Sequence, residues 1–421
     1  MAKEKVFFKT FGCRTNWFDT QVMMSNLKDF EVCSSELESD IIVVNSCTVT
    51  NGADSSVRGY INAIKRKNPN AKVIIAGCGA HSKGESLLKA QKVFGVMGHS
   101  EKEKINQILK EENPFYQIGD LSHIDKTVVS HYIGRSRAFI KIQEGCDFEC
   151  SYCIIPSVRG LARSYSPQQI KEQVALLASN GFGEFILTGT NVGSYGRDIN
   201  FSLAKLLKEL SQIRGVRRVR IGSLEPIQID DEFMEILLEP WMARHLHIAI
   251  QHTSDKMLQI MDRRNRFDSD LKLFEKISSF GYAIGTDFIV GHAGESDEVW
   301  QEAIKRVKMM PLTHIHAFTY SKRDGTKSAN LKEQPPKGDI AKARHKELTR
   351  IIDEKNLAFR QKNHTDLIVL AESKRDDGLF SGFDQYYNKI LIDSKEDISS
   401  SWLLVKEAEV ESKFNYAVYP E

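Results

Sequence analysis

Residues 138–153 read AFIKIQEGCDFECSYC, a strand-like run followed at once by three closely spaced cysteines, Cys146, Cys150 and Cys153. Thiolates at this spacing on one loop can ligate three irons of a four-iron, four-sulfur cluster and leave the fourth iron open. Structural zinc is the alternative, but zinc usually takes four protein ligands, typically from paired C-x-x-C elements, and only one such pair occurs here. The spacing of these cysteines, called the barrel triad below, therefore favours an iron–sulfur site.

An alternation of strands and helices extends from this loop to about residue 320. The strand candidates after AFIKIQ are EFILTG, RRVRIG, HLHIAIQ, AIGTDFIVG and HIHAFTY, with helical patterns between them. Six such units are fewer than the eight that close a full barrel, so we expect an open, partial (β/α)6 barrel. Sites in such folds lie at the carboxyl ends of the strands, which is where the cysteine loop falls.

The first part of the chain shows the same alternation and a second set of cysteines. The strand-like runs KVFFKTF, DIIVVNS and KVIIAG are followed closely by Cys13, Cys47 and Cys78, called the N-terminal triad below. Parallel strands place their carboxyl ends on one edge of a sheet, so the three thiols should converge there. Dispersed cysteines can also be buried small side chains, but these positions favour a metal or cluster site. Cys33 matches none of them and is predicted to be a core thiol.

The last part of the chain has a different pattern. Pro335 and Pro336 precede a predicted helix over residues 337–361, and short alternating strands follow, LIVLAES, YYNKILID, WLLVKEAEV and NYAVYP. We expect a small antiparallel β-barrel here. Residues 361–421 contain 7 Lys and Arg against 12 Asp and Glu, whereas the first 360 residues carry a net charge of +7. The predicted domains are residues 1–125, 132–362 and 363–421.

Composition limits the class of protein. The chain has 421 residues, a net charge of +2 and seven cysteines, an odd number too sparse for a disulfide framework. No stretch approaches the roughly 18 consecutive apolar residues of a membrane span. The N-terminal MAKEKVFFKT shows no secretory signal, so we expect a cytoplasmic protein without membrane contact.

Several segments together resemble one family. QEGCDFECSYC resembles the signature of radical S-adenosylmethionine enzymes, whose open iron chelates the methionine amino and carboxylate groups. KTFGCRTNWFDT, DIIVVNSCTVTNGAD and VIIAGCGA resemble the three cysteine segments of the methylthiotransferases, a branch with a second cluster. CSYCIIPSVRGLARS, LTGTNVGSYGRD, IGSLEP and FTYSKRDGTKSA also resemble family segments, and GFDQYYNKILID resembles the RNA-associated module called TRAM. The resemblance covers essentially the whole chain.

The resemblance implies a fold and an activity. It implies an α/β protein with an N-terminal parallel-sheet domain, a radical S-adenosylmethionine barrel and a TRAM module. It also implies two 4Fe-4S clusters, one on each triad, and S-adenosyl-L-methionine as a cofactor. The family forms a 5′-deoxyadenosyl radical and inserts a methylthio group into an unreactive C–H bond. An electron donor such as a flavodoxin or ferredoxin and a sulfur source are implied partners.

The substrate follows from a finer resemblance. NSCTVTNGAD most resembles the branch that acts on carbon 2 of N-threonylcarbamoyladenosine in the tRNA anticodon loop. Isopentenyladenosine in tRNA is one alternative. An aspartate of a ribosomal protein is the other, favoured by the acidic tail, which is easier to place on a basic protein than on RNA. A non-catalytic iron–sulfur redox sensor that binds RNA is the alternative from another class.

The resemblance also implies residues for S-adenosylmethionine. Tyr152 matches the aromatic position that packs on the adenine, and Glu225 and Gln251 end barrel strands where they would face the ligand. The remaining implied contacts, at the methionine amino end and at the adenine and ribose, are Gly189, Thr190, Asn191, Ile289 and Gly291. The chain departs from the family at the segments Gln251-His252-Thr253 and His292-Ala293, and at Asp324.

Contacts with RNA need a basic surface or exposed aromatic rings. The candidate basic patches are Lys65, Arg66 and Lys67; Arg214, Arg217 and Arg218; and Arg263, Arg264 and Arg266. A run of charges is usually only a solvated face. Phe383, Tyr386 and Tyr387 are candidates for base stacking, and His81, near Cys78, is interpreted as a solvated loop histidine rather than a cluster neighbour.

Overall fold

A six-stranded parallel sheet forms the N-terminal part of the computed structural model, which describes residues 3–130, 132 and 136–419. Its strands are β1 Lys5–Thr10, β2 Glu31–Val32, β3 Ile41–Ser46, β4 Lys72–Gly77, β5 Gly95–Met97 and β6 Phe115–Gln117, in the order β2-β1-β3-β4-β5-β6. Its α-helices are α1 Arg14–Ser25, α2 Asn51–Lys67, α3 Glu85–Lys89 and α4 Ile105–Ile108. A π-helical turn, Ala80–Gly84, and a 3-10 turn, His99–Lys104, complete this part.

The central strands of this sheet are buried on both faces. Ile41 and Val43 of β3 pack into one hydrophobic cluster, and Ile42 and Val44 pack into another on the opposite face. This alternation is the two-residue period of a strand, and burial on both faces is typical of parallel sheets covered by helices. The predicted strands β1, β3 and β4 are confirmed, whereas β2, β5 and β6 were not predicted.

The central part is an arc of six parallel strands. These are β7 Ala138–Lys141, β10 Glu184–Thr188, β11 Arg218–Ile221, β12 His245–His247, β13 Ala283–Val290 and β14 His314–Thr319, with a small hairpin of β8 Gln143–Glu144 and β9 Arg163–Ser164. Bridges Val219–Met242 and Leu224–Ile248 join the two three-stranded halves between β11 and β12. The open, partial (β/α)6 barrel is therefore confirmed.

The helices of the central part cover the arc. They are α5 Ile155–Arg159, α6 Pro167–Ser179, α7 Leu203–Ser211, α8 Asp231–Ile236, α9 Asp255–Ile260, α10 Phe267–Ser279, α11 Asp297–Met309 and α12 Gly338–Lys362, with 3-10 turns at Val192–Ser194, Arg197–Ile199, Pro226–Gln228 and Lys327–Asn330. Phe18 and Val22 of α1 belong to the same hydrophobic cluster as the barrel strands. The N-terminal part therefore docks through α1, which begins directly after Cys13.

The C-terminal part is a curled six-stranded sheet. Its strands are β15 Thr365–Lys374, β16 Phe380–Phe383, β17 Lys389–Asp393, β18 Trp402–Glu407, β19 Glu409–Val410 and β20 Asn415–Val418, in the order β18-β15-β16-β17-β20-β19. The two edge strands, β18 and β19, are separated by Ala408 alone, which draws the edges of the sheet together. The antiparallel prediction holds except that β17 and β20 are parallel, because the long connection over 394–414 returns the chain to the starting end of β17.

Candidate functional site

The N-terminal triad lies at one edge of the parallel sheet. β1, β3 and β4 are neighbours, and Thr10 pairs with Asn45 as Ser46 pairs with Gly77, so the residues that follow these strands lie side by side. Burial raises the pKa of the Cys47 thiol to about 12, and the thiols of Cys78 and Cys13 act in the same direction. The structure thus brings Cys13, Cys47 and Cys78 together.

Gly12 permits this approach. Its φ of +97° lies in the left-handed region, and a Cβ there would come within 2.5 Å of the Cβ of Cys47. Only glycine combines that backbone conformation with that contact.

The barrel triad lies on the loop after β8, at the mouth of the barrel. Burial raises the pKa of the Cys153 thiol to about 12, and Cys150 and Cys146 act in the same direction. The three thiols are therefore close neighbours. Cys146 lies near Asn191, which follows β10 and whose Nδ2 is 3.5 Å from the Cys146 sulfur.

Hydrogen-bond donors point at the sulfur atoms of both triads. The Phe148 backbone N–H donates to Cys146 at 3.4 Å, Arg263 Nη1 to Cys150 at 3.5 Å and Arg159 Nε to Cys78 at 3.1 Å. Donors of this kind stabilise the negative charge of sulfur-ligated iron and set its reduction potential. Converging thiols surrounded by N–H donors fit an iron–sulfur cluster at each triad.

A cavity of about 160 Å³ adjoins the barrel triad and is called the loop cavity. It is lined by Tyr152, Cys153, Gln251 and Ile289, three of which carry predicted S-adenosylmethionine contacts, and by Val49 from the N-terminal part. Gln251 has a φ of +66° and is held by a parallel bridge to Phe288. A strained non-glycine residue at a cavity wall is typical of a ligand site.

Three other predicted S-adenosylmethionine contacts, Asn191, Glu225 and Thr190, lie around the barrel triad. Asn191 stays beside Cys146, and its buried Oδ1 finds no hydrogen-bond partner among the described residues, so it is free to receive an amino group. Glu225 pairs through both carboxylate oxygens with Arg263, which also approaches Cys150. Thr190 Oγ1 accepts from the Gly145 N–H at 3.2 Å and fixes the cysteine loop.

Glycines Gly189 and Gly291 have packing roles in the structure. A Cβ on Gly189 would lie 2.8 Å from the carbonyl oxygen of Gln143. Gly291 donates its N–H to Glu295 Oε2 at 2.9 Å, and a Cβ there would lie 2.9 Å from that of Ala341 on α12. Gly291 therefore lies behind the loop cavity, and its predicted contact with the ribose stays a prediction.

In the two segments that depart from the family pattern, Gln251 lines the loop cavity, whereas the side chains of His252, Thr253, His292 and Ala293 are buried. His252 accepts from the Ser254 N–H through Nδ1 at 3.0 Å, and His292 Nε2 is 2.8 Å from Ser328 Oγ. The His292 ring packs against those of Tyr152 and Tyr320. His292 thus supports the wall of the loop cavity from behind, and the His252 ring packs against Phe288.

A larger cavity of about 490 Å³, called the central cavity, lies inside the barrel arc. Cys13 and Gly189 line it at one end, His247 and His316 line it along the strands, and Asp287 lines both this cavity and the loop cavity. The central cavity therefore reaches a thiol of the N-terminal triad, and the loop cavity reaches a thiol of the barrel triad. The two cavities adjoin at Asp287.

A buried ionic network joins the two parts of the chain behind the triads. Arg159, 2% exposed, donates to Asp19 Oδ2 at 2.7 Å, to Asn16 Oδ1 at 2.6 Å and to Glu144. Burial opposes ionisation of Asp19, but Lys141 and Arg159 lower its pKa. The charged members are Asp19, Asp125, Glu144, Lys102, Lys141, Arg159 and Arg163. The network has four cations against three carboxylates, and one of the cations, Arg159, also contacts the sulfur of Cys78.

Four predictions about individual side chains are wrong; one of them is Arg218, which is 4% exposed, pairs with Glu184 and does not offer a surface charge. His81 is not solvated: it is partly buried with its Nε2 3.1 Å from His99 Nδ1, and burial followed by Arg159 lowers its pKa to about 4. Cys33 is not a core thiol, because it follows the two-residue edge strand β2 and remains partly exposed. Arg263, 4% exposed, is committed to Glu225 and does not offer a surface charge.

The other RNA candidates are placed as follows. Arg218 is buried against Glu184, whereas Arg214, Arg217 and Arg264 are exposed or partly exposed and Arg266 is partly buried. Lys65, Arg66 and Lys67 are exposed at the end of α2. Phe383 stacks on Tyr387 beneath Arg137, and Tyr386 packs against Phe359, so these rings hold the C-terminal part on the barrel.

Sequence reasoning missed Arg159 and the role of Arg263. Arg159 follows Cys153 by six residues, and that short spacing was the available signal for its proximity to a cluster. Nothing in the sequence indicated that the Arg159 side chain would reach Cys78 of the N-terminal triad.

Comparison with known proteins gives the family. The model named "Uncharacterized protein family UPF0004" matches residues 5–98, and the model named "Radical SAM superfamily" matches residues 140–307. A Helicobacter pylori protein named "Putative methylthiotransferase" is 52% identical and covers 99% of this chain and all of its own length. The Aquifex aeolicus "Threonylcarbamoyladenosine tRNA methylthiotransferase MtaB" is 36% identical over 85% of this chain and 90% of its own length. The chain belongs to the radical S-adenosylmethionine methylthiotransferases.

Two further matches complete the comparison. The Clostridium novyi "tRNA-2-methylthio-N(6)-dimethylallyladenosine synthase" is 32% identical over 90% of this chain and 88% of its own length. The solved structure of TsrM from Kitasatospora setae, a radical S-adenosylmethionine methyltransferase with cobalamin and a [4Fe-4S] cluster bound, matches with a TM-score of 0.58 at 15% identity over 76% of this chain and 75% of its own. That likeness shows the fold alone.

As a radical S-adenosylmethionine methylthiotransferase, the chain is an enzyme that uses S-adenosylmethionine and 4Fe-4S clusters. The alternative of a non-catalytic sensor is therefore wrong. Within the described residues, no helix has both the length and the apolar character needed to cross a bilayer.

Proposed function

We propose that this methylthiotransferase acts on carbon 2 of N-threonylcarbamoyladenosine beside the tRNA anticodon. The observation that carries the proposal is the polar wall of the central cavity. That wall contains Arg14, Arg220, His245, His247, Asp287, His314, His316, Asn356 and Tyr387. A threonylcarbamoyl group carries a carboxylate, a hydroxyl and a carbonyl that can form hydrogen bonds with such a wall, whereas an isopentenyl group has no polar atom to offer it.

We propose that the N-terminal triad holds one cluster and the barrel triad the other. S-adenosylmethionine and the clusters, when bound, would supply the radical chemistry at the target carbon, which belongs to the cofactors. The protein's own residues bind and orient. Tyr152, Gln251 and Ile289 would enclose the adenosyl group in the loop cavity, and Asn191 would accept from the methionine amino group.

The junction of the cavities sets the reaction geometry. A base in the central cavity would lie between Cys13 and the loop cavity, with Asp287 at the boundary. A ring atom inside the anticodon loop is accessible to an enzyme once its base is turned out of the stack.

One observation favours a second candidate. The C-terminal part is acidic and packs against the barrel through Arg137–Glu372 and through Arg220, which donates to the carbonyl of Asp384. An acidic surface beside the active site is easier to reconcile with a basic ribosomal protein than with RNA. An aspartate of such a protein is therefore the alternative substrate.

Mass spectrometry of the host separates the candidates. A deletion strain is compared with the same strain carrying the wild-type gene or a Cys146→Ala, Cys150→Ala, Cys153→Ala variant. The proposal expects 2-methylthio-threonylcarbamoyladenosine to disappear from total tRNA in the deletion and to return with the wild type only. Unchanged tRNA nucleosides together with a loss of one methylthio mass from a ribosomal protein would establish the alternative.

A further inference from the structure

Two histidine pairs face the inside of the barrel arc. The strands β12 and β14 carry His245-Leu-His247 and His314-Ile-His316, and residues two apart on a strand point to the same side. Between them, β13 presents Gly285 and Asp287, and Asp287 pairs in register with His316. Three neighbouring strands thus place imidazoles and a carboxylate on one wall of the central cavity.

Three of these side chains form a compact donor set, His247, Asp287 and His316. His247 Nε2 is 2.9 Å from Asp287 Oδ1, and His316 Nδ1 is 3.4 Å from the same oxygen. One ligand atom from each of the three residues lies within 4.8 Å of the other two. Gly285 makes room for this arrangement, since a Cβ there would come within 3.1 Å of His247 Nδ1.

These spacings match those of ligands around one metal ion. Nitrogen and oxygen ligands about 2.1 Å from a metal, at angles of roughly 90–110°, lie about 3.0–3.4 Å apart. The two His–Asp distances fall at or close to this range, and the two imidazole nitrogens lie within 4.8 Å of each other. His316 can shorten the separation of the two nitrogens by rotation, because its side chain is 60% exposed.

Hydrogen bonding alone explains only part of the geometry. A single His–Asp pair accounts for the contact between His247 and Asp287. It does not account for a second imidazole that stacks on the first at 4.9 Å and points a nitrogen at the same carboxylate oxygen. Two histidines and one carboxylate on one face are the donor set of catalytic zinc and non-haem ferrous sites, which keep coordination positions open.

We propose that His247, Asp287 and His316 bind one divalent transition-metal ion whose open positions face the central cavity. This ion is distinct from the irons on the cysteine triads. An ion here would offer a coordination site to an oxygen atom of the substrate side chain, a role that rests on the proposed function. Binding of the ion itself does not rest on it.

Zinc is the probe for this site. Anaerobically reconstituted full-length protein, with both cysteine triads occupied by iron, is titrated with Zn²⁺ against a chromophoric chelator. Wild type is compared with His316→Ala, Asp287→Asn and the control His364→Ala, which removes a histidine that lies 3.6 Å from Glu407 in the C-terminal part. Iron content is measured on every sample, so that loss of a cluster or of the fold is recognised.

The proposal expects wild type and His364→Ala to bind one equivalent of Zn²⁺. His316→Ala and Asp287→Asn should bind it at least ~100-fold more weakly, since even the loss of an outer-shell partner costs about 10–100-fold, while their iron content stays unchanged. No bound zinc in the wild type, or equal affinity in all four proteins, overturns the proposal. Loss of S-adenosylmethionine binding in Asp287→Asn with zinc binding intact also overturns it and assigns Asp287 to the loop cavity. None of these results depends on which substrate the enzyme modifies.

Discussion

Arg159 should set the reduction potential of the N-terminal cluster from a position on the barrel. Its guanidinium lies 3.1 Å from the sulfur of Cys78 and belongs to a buried network in which cations outnumber carboxylates by one. Replacing it with methionine removes both the hydrogen bond and the charge. Because a reduced cluster is more negative than an oxidised one, we expect Arg159→Met to make reduction harder.

The magnitude follows from Coulomb's law. Two unit charges about 4 Å apart interact by about 4 kcal/mol at an effective dielectric constant of about 20. A one-electron couple shifts by about 59 mV for each ~1.4 kcal/mol, which gives about 170 mV as an upper bound. The added electron is spread over atoms further from the guanidinium, so we expect a shift of ~50–150 mV to more negative potential.

The assay is a redox titration followed by electron paramagnetic resonance. It uses a background in which Cys146, Cys150 and Cys153 are replaced by alanine, so that only the N-terminal cluster is observed. Arg159→Lys keeps the charge and should shift the potential by less than half as much. Arg163→Met is the matched control, because Arg163 is a member of the same network that pairs with Glu144 and with backbone carbonyls.

Two results would refute this reasoning. One is a potential in Arg159→Met within about 20 mV of the parent, which is far smaller than the shift expected from losing a unit charge at this distance. The other is an equal shift in Arg163→Met, which would show that the potential responds to the charge of the whole network rather than to the contact with Cys78.

Further predictions concern Arg263, Asp270 and Gly12. Arg263→Met should lower the free energy of unfolding by up to about 3–5 kcal/mol, because it leaves the partly buried Glu225 carboxylate without its partner; the free energy of unfolding of Arg264→Met, a neighbour outside this ion pair, should change by less than about 0.5 kcal/mol. Burial raises the pKa of Asp270 to about 7, so the folded chain holds this proton to higher pH than the unfolded chain and stability falls as pH rises from about 4 to about 7. In Asp270→Asn, the denaturant midpoint should depend less on pH over that window than it does in the wild type. An unchanged pH dependence would contradict the assignment. Gly12→Ala should lower iron bound by the N-terminal triad, whereas Gly181→Ala, which has a similar φ of +94° but nothing within 4 Å of its Cβ, should retain it.

The sequence alone was sufficient to predict the strands of the barrel and the convergence of the N-terminal cysteines. All six barrel strands were predicted, since runs such as AIGTDFIV are rich in β-branched and buried residues. The positions of Cys13, Cys47 and Cys78 after successive strands were enough to expect their convergence, because parallel strands end on one edge.

The structure was needed to find the shortest strands and the side-chain contacts that depend on how strands and helices pack together. The strands β5 and β6 have three residues each, which is too few for periodicity to be recognised. An arginine such as Arg159 looks like a surface charge in sequence, and only docking of α1 on the barrel shows that it reaches Cys78. The meeting of His247, Asp287 and His316 likewise depends on the pairing of β12, β13 and β14, which a single sequence does not specify.

The iron and acid-labile sulfide content of three reconstituted proteins tests the account most directly. The proteins are the wild type, the variant with alanine at Cys13, Cys47 and Cys78, and the variant with alanine at Cys146, Cys150 and Cys153. We predict about eight irons in the wild type and about four in each variant. If either triple variant kept all of its iron, or if one of them lost all of it, the two triads would not hold two independent clusters.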